Sequence, residues 1–215
     1  LFHIALLLPS RADLGHWLQH YIDTENQMVG GAGDHLVSEA LYLNDPEGNG
    51  IELYRDRPRS EWQTSENGHI EMATLKVDIP GVLEAAPKRP FTGLPRGTTM
   101  GHIHLQVSTI PESIGFYRGL LGITQTDRQE FSSAAFFGAG GYHHHIGNNI
   151  WHSDGASCPP EGSLGLQRFE LDLSSSAELS RLLNHLDQNK TQVTTLENDR
   201  FAVTDPSGNK VILKS

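Results

Sequence analysis

Cysteine is almost missing from this chain: of 215 residues only Cys158 is one. No intrachain disulfide can form, which leads us to expect a reducing, cytoplasmic setting. Cationic runs are missing too. The formal net charge is −10 and no Lys/Arg-rich stretch occurs, which argues against a nucleic-acid backbone as partner. No apolar run reaches the ~18 residues that a bilayer span requires, and no secretory signal opens the chain, so neither a membrane nor export is expected. An initiating Met is also lacking. The chain starts at Leu1 inside "LFHIALLLP", which reads as a β-strand, so a fragment or a processed product is expected.

What is present in excess is histidine. Twelve occur, clustered in "GHIH" (101–104) and "YHHHIG" (142–147), a first sign of metal or acid–base chemistry.

Internal repetition organises the rest. The segments "LFHIALLLPSRADLGHWLQHYI" (1–22), "GHIHLQVSTIPESIGFYRGLLG" (101–122) and "LQRFELDLSSSAELSRLLNHLD" (166–187) open alike. Each has a β-rich run, a turn able to cap a helix, and a helix with apolar residues near i, i+3, i+4. Strands broken by Gly, Asn and Asp turns follow. The expected unit is βαβββ, present as 1–55, 100–152 and 165–215, with a Pro/Arg/Gly-rich connector at 56–99 and a linker at 153–164. A four-stranded unit leaves one sheet face bare, so units should pair. Three units then imply a fourth upstream. The fold class expected is α+β, built from βαβββ units paired into curved mixed sheets.

Alternation along the strands assigns side chains to faces. In "LFHIALLL" His3 lies opposite Phe2 and Ile4. In "GIELYR" and "EALYLND" Glu52 and Tyr42 each lie opposite their aliphatic neighbours. One wall of the first unit therefore collects His3, Tyr42 and Glu52. The position of His3 is taken by His102 in the second unit and Arg168 in the third, and that of Glu52 by Ile212 in the third. Two imidazoles and one carboxylate on rigid strands, with open coordination positions, form the facial triad suited to non-haem Fe(II). A single strand histidine is commonly just a satisfied half-buried group. Its recurrence at equivalent repeat positions, beside a carboxylate that would be costly to bury without a cation, favours ligation by His3, Glu52 and His102.

Other histidines are less informative. A strand through "YHHHI" would turn His144 to the face opposite His143 and His145. His35, in the Gly-rich "GAGDHLV", either overhangs the site or is solvated. His16 and His20, at i, i+4 on the first helix, read as a solvated face.

The phrases "SEALYLNDPEGNGIELYRDRPRSEW", "GHIHLQV…FYRGLLG" and "AGGYHHHIGNNIW" resemble the vicinal-oxygen-chelate superfamily, and within it the catechol-2,3-dioxygenase group. The resemblance implies Fe(II), or Mn(II), held by His3, Glu52 and His102, with His144 as acid–base histidine and Tyr42 and His35 hydrogen-bonding the substrate oxygens. It implies a small aromatic diol and O2 as partners and extradiol ring cleavage as the reaction, and it leaves a homo-oligomer open. The alternatives are a glyoxalase-like metal-dependent isomerase, a thiol-transfer resistance enzyme of the same fold, and a non-catalytic small-molecule binding protein. In the common layout of the family the last two units carry the ligands. Here the last unit is the one without them.

Overall fold

A computed structural model describes residues 1–25, 28–65, 69–127, 133–160 and 162–215. The chain divides into two compact units. The first is centred on Leu1–His104 and includes His143–Ile146; the second holds most of the remainder, with Gly147–Ser215 as its largest piece.

The first unit opens with strand β1 (His3–Leu7), helix α1 (Arg11–Glu25) and strands β2 (Gly31–Asp34), β3 (Ser38–Asn44) and β4 (Gly50–Asp56). Helix α1 begins where Ser10 accepts from the Asp13 amide at 3.2 Å and donates to the Asp13 carboxylate at 2.6 Å, a reciprocal cap of the first turn. The β3–β4 turn is closed by Asp45, whose Oδ1 accepts from the amides of Glu47 and Asn49, with Gly48 in the left-handed region at φ 87°. Residues after β4 carry a 3-10 turn (Arg59–Glu61) and the short helix α2 (Ile79–Glu84), capped by Asp78, before strand β5 (Thr99–Gln106). What the sequence reads as a plain connector therefore contains structure that packs on the sheet.

The strand order in this unit is β2-β3-β4-β1-β5. Strand β1 runs parallel to β4 and antiparallel to β5. The register puts Tyr42 opposite Glu52, Glu52 beside Ala5, Ala5 opposite His102, and His3 opposite His104. Partners across a ladder share a face, so His3, Ala5, Tyr42, Glu52, His102 and His104 all project from one side. The other side carries Leu41 and Leu53, which pack with Leu8, Leu14, Leu18, Val77 and Val82 under α1 and α2. Burying each such aliphatic side chain contributes about 1.5–3 kcal/mol. Gly15 is required at the α1–α2 contact: a Cβ there would lie 2.0 Å from the Val82 carbonyl oxygen.

In the second unit helix α3 (Ile110–Ile114), capped by Thr109, continues as a π-helical turn over Gly115–Leu120. Strands β6 (Thr124–Gln125), β7 (Ala134–Gly138) and β8 (Ile146–Asn149) follow, in the order β8-β7-β6. Next come β9 (Phe169–Asp172), helix α4 (Ser176–Gln188) capped by Ser175, and β10 (Thr194–Thr195), β11 (Phe201–Thr204) and β12 (Lys210–Lys214). The last four strands form their own sheet, ordered β10-β11-β12-β9, with β9 parallel to β12. The architecture is α+β, a curved mixed sheet with few helices, as in the vicinal-oxygen-chelate fold. Among the described residues no helix is long and apolar enough to cross a membrane.

Candidate metal centre

Four neighbouring strands supply the centre, and the row that crosses them explains its shape. Along Tyr42, Glu52, Ala5 and His102 the side chains stand side by side on β3, β4, β1 and β5. Strands lie about 4.8 Å apart, so β4 and β5 are separated by roughly 10 Å. Glu52 and His102 close that gap because Ala5 between them is small. His3, one step along β1, comes in from the side. Glycines allow the close approach on which this depends. A Cβ on Gly50 would fall 2.3 Å from the Phe2 carbonyl oxygen, and one on Gly101 would fall 1.9 Å from the Tyr54 hydroxyl, whose ring lies 5.0 Å from that of His102.

The result is a small triangle of atoms. His3 Nε2 and Glu52 Oε2 are 3.0 Å apart, His102 Nε2 and Glu52 Oε2 3.2 Å, and the two Nε2 atoms 3.3 Å. All three residues are buried. Metal–ligand bonds of about 2.0–2.2 Å would set adjacent ligands of an octahedron about 3 Å apart, so the triangle has the size of one octahedral face. Two nitrogens and one oxygen are a donor set that fits a divalent transition metal, and the three residues form a candidate metal-holding group.

Electrostatics favour the ligating state. Burial acts to raise the Glu52 carboxyl, but the charge and hydrogen bonds of His102, then of His3, outweigh it and hold it well below the usual carboxylate range. Burial pushes His102 down, against the opposing pull of Glu52. These two directions compete, because an imidazole kept neutral exerts less pull on its neighbour. The state we stand behind at neutral pH is an ionised Glu52 beside a neutral His102, the form each takes when it binds a metal.

Around the triangle stand the other residues singled out in the sequence. Tyr42 lies 5.8 Å from His3, ring to ring, and its hydroxyl is 2.8 Å from His35 Nε2. His35 Nδ1 is 2.9 Å from the Ala73 carbonyl oxygen. A carbonyl only accepts, so His35 donates from Nδ1 to Ala73, while the Tyr42 hydroxyl lies within reach of both His35 Nε2 and the Glu52 carboxylate. Burial, then the Glu52 charge, raises the Tyr42 phenol well above its ordinary value and keeps it protonated. His144 packs against His102 with ring centres 4.2 Å apart and the planes tilted by 53°. Burial pushes it far down and keeps it neutral.

One expectation is corrected. Residues 142–145 form a bend rather than a strand, so strict alternation does not apply to "YHHHI". His143 and His144 are both buried and touch each other, with Nδ1 atoms 2.9 Å apart, whereas His145 is exposed. His16 and His20 are also not simply solvated. His16 Nε2 lies 2.9 Å from the Arg89 carbonyl oxygen and His20 stacks on Phe91, so both tie the segment before β5 to α1.

Sequence reasoning passed over His104, His143 and Asp56. His104 completes the alternation begun by His102 and sits 4.8 Å from His3, ring to ring. Asp56 continues the pattern Glu52, Tyr54, Asp56 along β4, and its carboxylate is 3.1 Å from His143 Nε2. Extending the period by one more residue on each strand would have found both.

Fold and buried histidine–carboxylate face together define a class. A family model described as the glyoxalase/bleomycin resistance protein/dioxygenase superfamily matches residues 99–213, and the chain belongs to that superfamily. A catechol-2,3-dioxygenase of Bacillus subtilis (strain 168) is 45% identical over 206 residues, which cover 96% of this chain and 71% of that protein. The crystal structure of a putative dioxygenase from Bacillus subtilis subsp. subtilis str. 168 superposes with a TM-score of 0.59 at 8% identity, over 99% of this chain and 60% of that one. At that identity the similarity bears on the fold alone.

Proposed function

We propose that this protein is an extradiol ring-cleaving dioxygenase, inserting O2 into a catechol-type aromatic diol beside its two hydroxyls. The observation that carries the reading is the buried triangle of His3 Nε2, Glu52 Oε2 and His102 Nε2, in a chain 45% identical to a catechol-2,3-dioxygenase. His3, Glu52 and His102 would hold Fe(II), with Mn(II) as the alternative that the same N/O donors accept. When bound, the metal supplies one centre at which the diol and O2 meet and exchange charge.

The chain's own residues do the rest. Tyr42 and His35, joined through a 2.8 Å hydrogen bond, hydrogen-bond the diol oxygens and orient the ring. His144 is a buried neutral imidazole beside His102, suited to take a proton from the substrate and return it at a later step. In this reading units 1–55 and 100–152 contribute the site across the 56–99 connector, and unit 165–215, past the 153–164 linker, contributes no ligand.

The test is O2 consumption with catechol after anaerobic loading with Fe(II), alongside His102→Ala. Uptake with a coloured ring-opened product, absent in the variant, is the expected result. Iron binding without uptake over a panel of catechols and hydroquinones would favour an isomerase or a binding protein of the same fold.

A further inference from the structure

The tight turn between β2 and β3 carries His35, and a residue with no role assigned above, Arg57, grips it from outside. The Arg57 amide donates to the Val37 carbonyl at 2.8 Å, and Arg57 Nη2 lies 2.7 Å from Asp34 Oδ2. Both ends of the turn are thus tied to the residue that follows β4. Arg57 is fixed in its own right. Its carbonyl accepts from the Trp62 indole at 2.9 Å, and its Nη2 lies 3.7 Å from Glu39, the buried carboxylate that also pairs with Arg11 and Arg55.

The turn needs such a hold. Leu36 has φ 68°, a left-handed conformation that a bulky side chain keeps only when its surroundings impose it, and Asp34 Oδ1 accepts its amide at 3.0 Å. Asp34 also exchanges two backbone hydrogen bonds with Leu75, at 3.0 and 2.8 Å. That ladder draws residues 73–75 of the connector alongside the turn and presents the Ala73 carbonyl to His35 Nδ1. From the other side the His35 ring sits close over Gly33, where a Cβ would fall 2.9 Å from its Cε1 and Nε2. Asp34 joins these supports: its side chain caps the turn and pairs with Arg57, and its backbone pins the strip that holds the ring.

We infer that Arg57 is a positioning residue for the reaction proposed above: through its ion pair with Asp34 it holds the 34–37 turn closed, and so keeps His35 beside the Tyr42 hydroxyl, where the two orient the diol. The inference rests on that reading for its chemistry, but the hold on His35 is a property of the protein without metal or substrate. Arginine suits the place because its planar guanidinium can face two carboxylates at once, Asp34 and Glu39, which the point charge of a lysine does less well.

Amide hydrogen exchange of the metal-free protein reads the hold directly, for the parent, Arg57→Gln and Arg57→Lys. In Arg57→Gln the amides of Asp34, His35 and Leu75 should exchange faster by roughly 10-fold, while those of Leu41 and Leu53 in the core keep the parent's rates. Arg57→Lys keeps the charge and should fall between the two. With Fe(II) loaded and catechol as substrate, Arg57→Gln should lower kcat by roughly 10–100-fold with KM little changed, the cost of an orienting group set about 1 Å off. In a His35→Ala background the same change should cost nothing further, because a residue that acts through His35 has nothing left to position. Unchanged exchange at Asp34, His35 and Leu75 overturns the inference, and so does faster exchange throughout the core. A loss in kcat that adds in full to that of His35→Ala overturns it as well. If exchange behaves as stated but the parent consumes no O2, the hold on His35 stands and the dioxygenase reading fails, so the two failures are distinguishable.

Discussion

Two hairpins of this protein share a turn and differ in everything the turn presents. Strands β3–β4 are closed by Asp45, and β11–β12 by Asp205. Asp45 Oδ1 accepts from the amides of Glu47 and Asn49 at 2.9 and 2.8 Å; Asp205 Oδ1 accepts from those of Ser207 and Asn209 at 2.9 and 2.7 Å. Each Asn side chain donates back to Oδ2 at 2.8 Å, and Gly48 and Gly208 have φ of 87° and 86°. The parallel neighbours match as well: Glu52 sits beside Ala5, and Ile212 beside Glu170. Yet the facing pair is Tyr42 and Glu52 in one hairpin and Ala202 and Ile212 in the other. Turn chemistry and strand register set a hairpin's geometry and leave its facing residues free, so one scaffold can build either a polar centre or plain sheet.

Exchanging the facing residues should break the comparison most severely. Ile212→Glu puts a carboxylate between Ala202 and Glu170 in place of a buried aliphatic chain, and burying that charge beside a like one should cost about 3–5 kcal/mol, read from urea midpoints. The reverse change, Glu52→Ile, takes the acceptor away from buried His3 and His102 and should cost the metal-free protein a smaller amount, about 1–3 kcal/mol. Its bound metal should fall to background and O2 uptake with it. Equal losses of stability in both variants would show that Glu52 is structural.

The turns themselves come next. Asp205 does one job more than Asp45: it accepts from the buried Tyr117 hydroxyl at 2.9 Å. Burial, then this carboxylate, pushes the Tyr117 phenol well up and keeps it a donor. Asp205→Ala should therefore destabilise by about 1–3 kcal/mol more than Asp45→Ala, the cost of a buried hydroxyl left without its acceptor. Adding Tyr117→Phe to Asp205→Ala should recover that extra loss.

A smaller change tests the polar face. Tyr42→Phe keeps the ring near His3 and removes the hydroxyl bonded to His35. Thermal stability should move little. With catechol, kcat should fall roughly 10-fold, in the range for one lost orienting hydrogen bond.

The smallest effect concerns acid. On the aliphatic side of the first hairpin, Glu39 accepts from Arg55 Nη2 at 2.5 Å and from Arg11 Nε at 2.8 Å. Burial acts to raise its carboxyl, and hydrogen bonds from Arg11 and then Arg55, with their charges, more than offset it and lower it below the ordinary 4.5. A carboxyl lowered by folding contributes stability that is fully present above about 4.5 and is lost as pH falls through its folded value. Glu39→Gln should thus lower stability at neutral pH and flatten the acid limb below about pH 4.5. Counting back from the two turns, Glu39 and Arg55 fall on Asp199 and Ser215, so amide exchange at low pH should open β3–β4 before β11–β12.

Much of this was legible without coordinates, for reasons that can be named. Strand alternation is strict, so His3, Tyr42, Glu52 and His102 could be set on faces by counting. The cap of α1 follows from Ser10 and Asp13, three residues apart, and recurs with Thr109 and Glu112 and with Ser175 and Glu178. Counting failed at 142–145 because a bend has no period, and there the facing of His143 and His144 could not be foreseen. It also stopped short of Asp56, whose partner lies 87 residues away.

The sequence by itself determined the βαβββ repeat, the capped helices, the matched turns and the loss of ionisable groups from the last hairpin, because each depends on spacing within a few residues. Only the tertiary structure decided that β5 lies against β1, with little-obstructive Ala5 between Glu52 and His102, and that Asp56 reaches His143. Those contacts join parts of the chain far apart in number, and what sets them is which strand edge pairs with which, a choice made by packing both sides of a sheet at once.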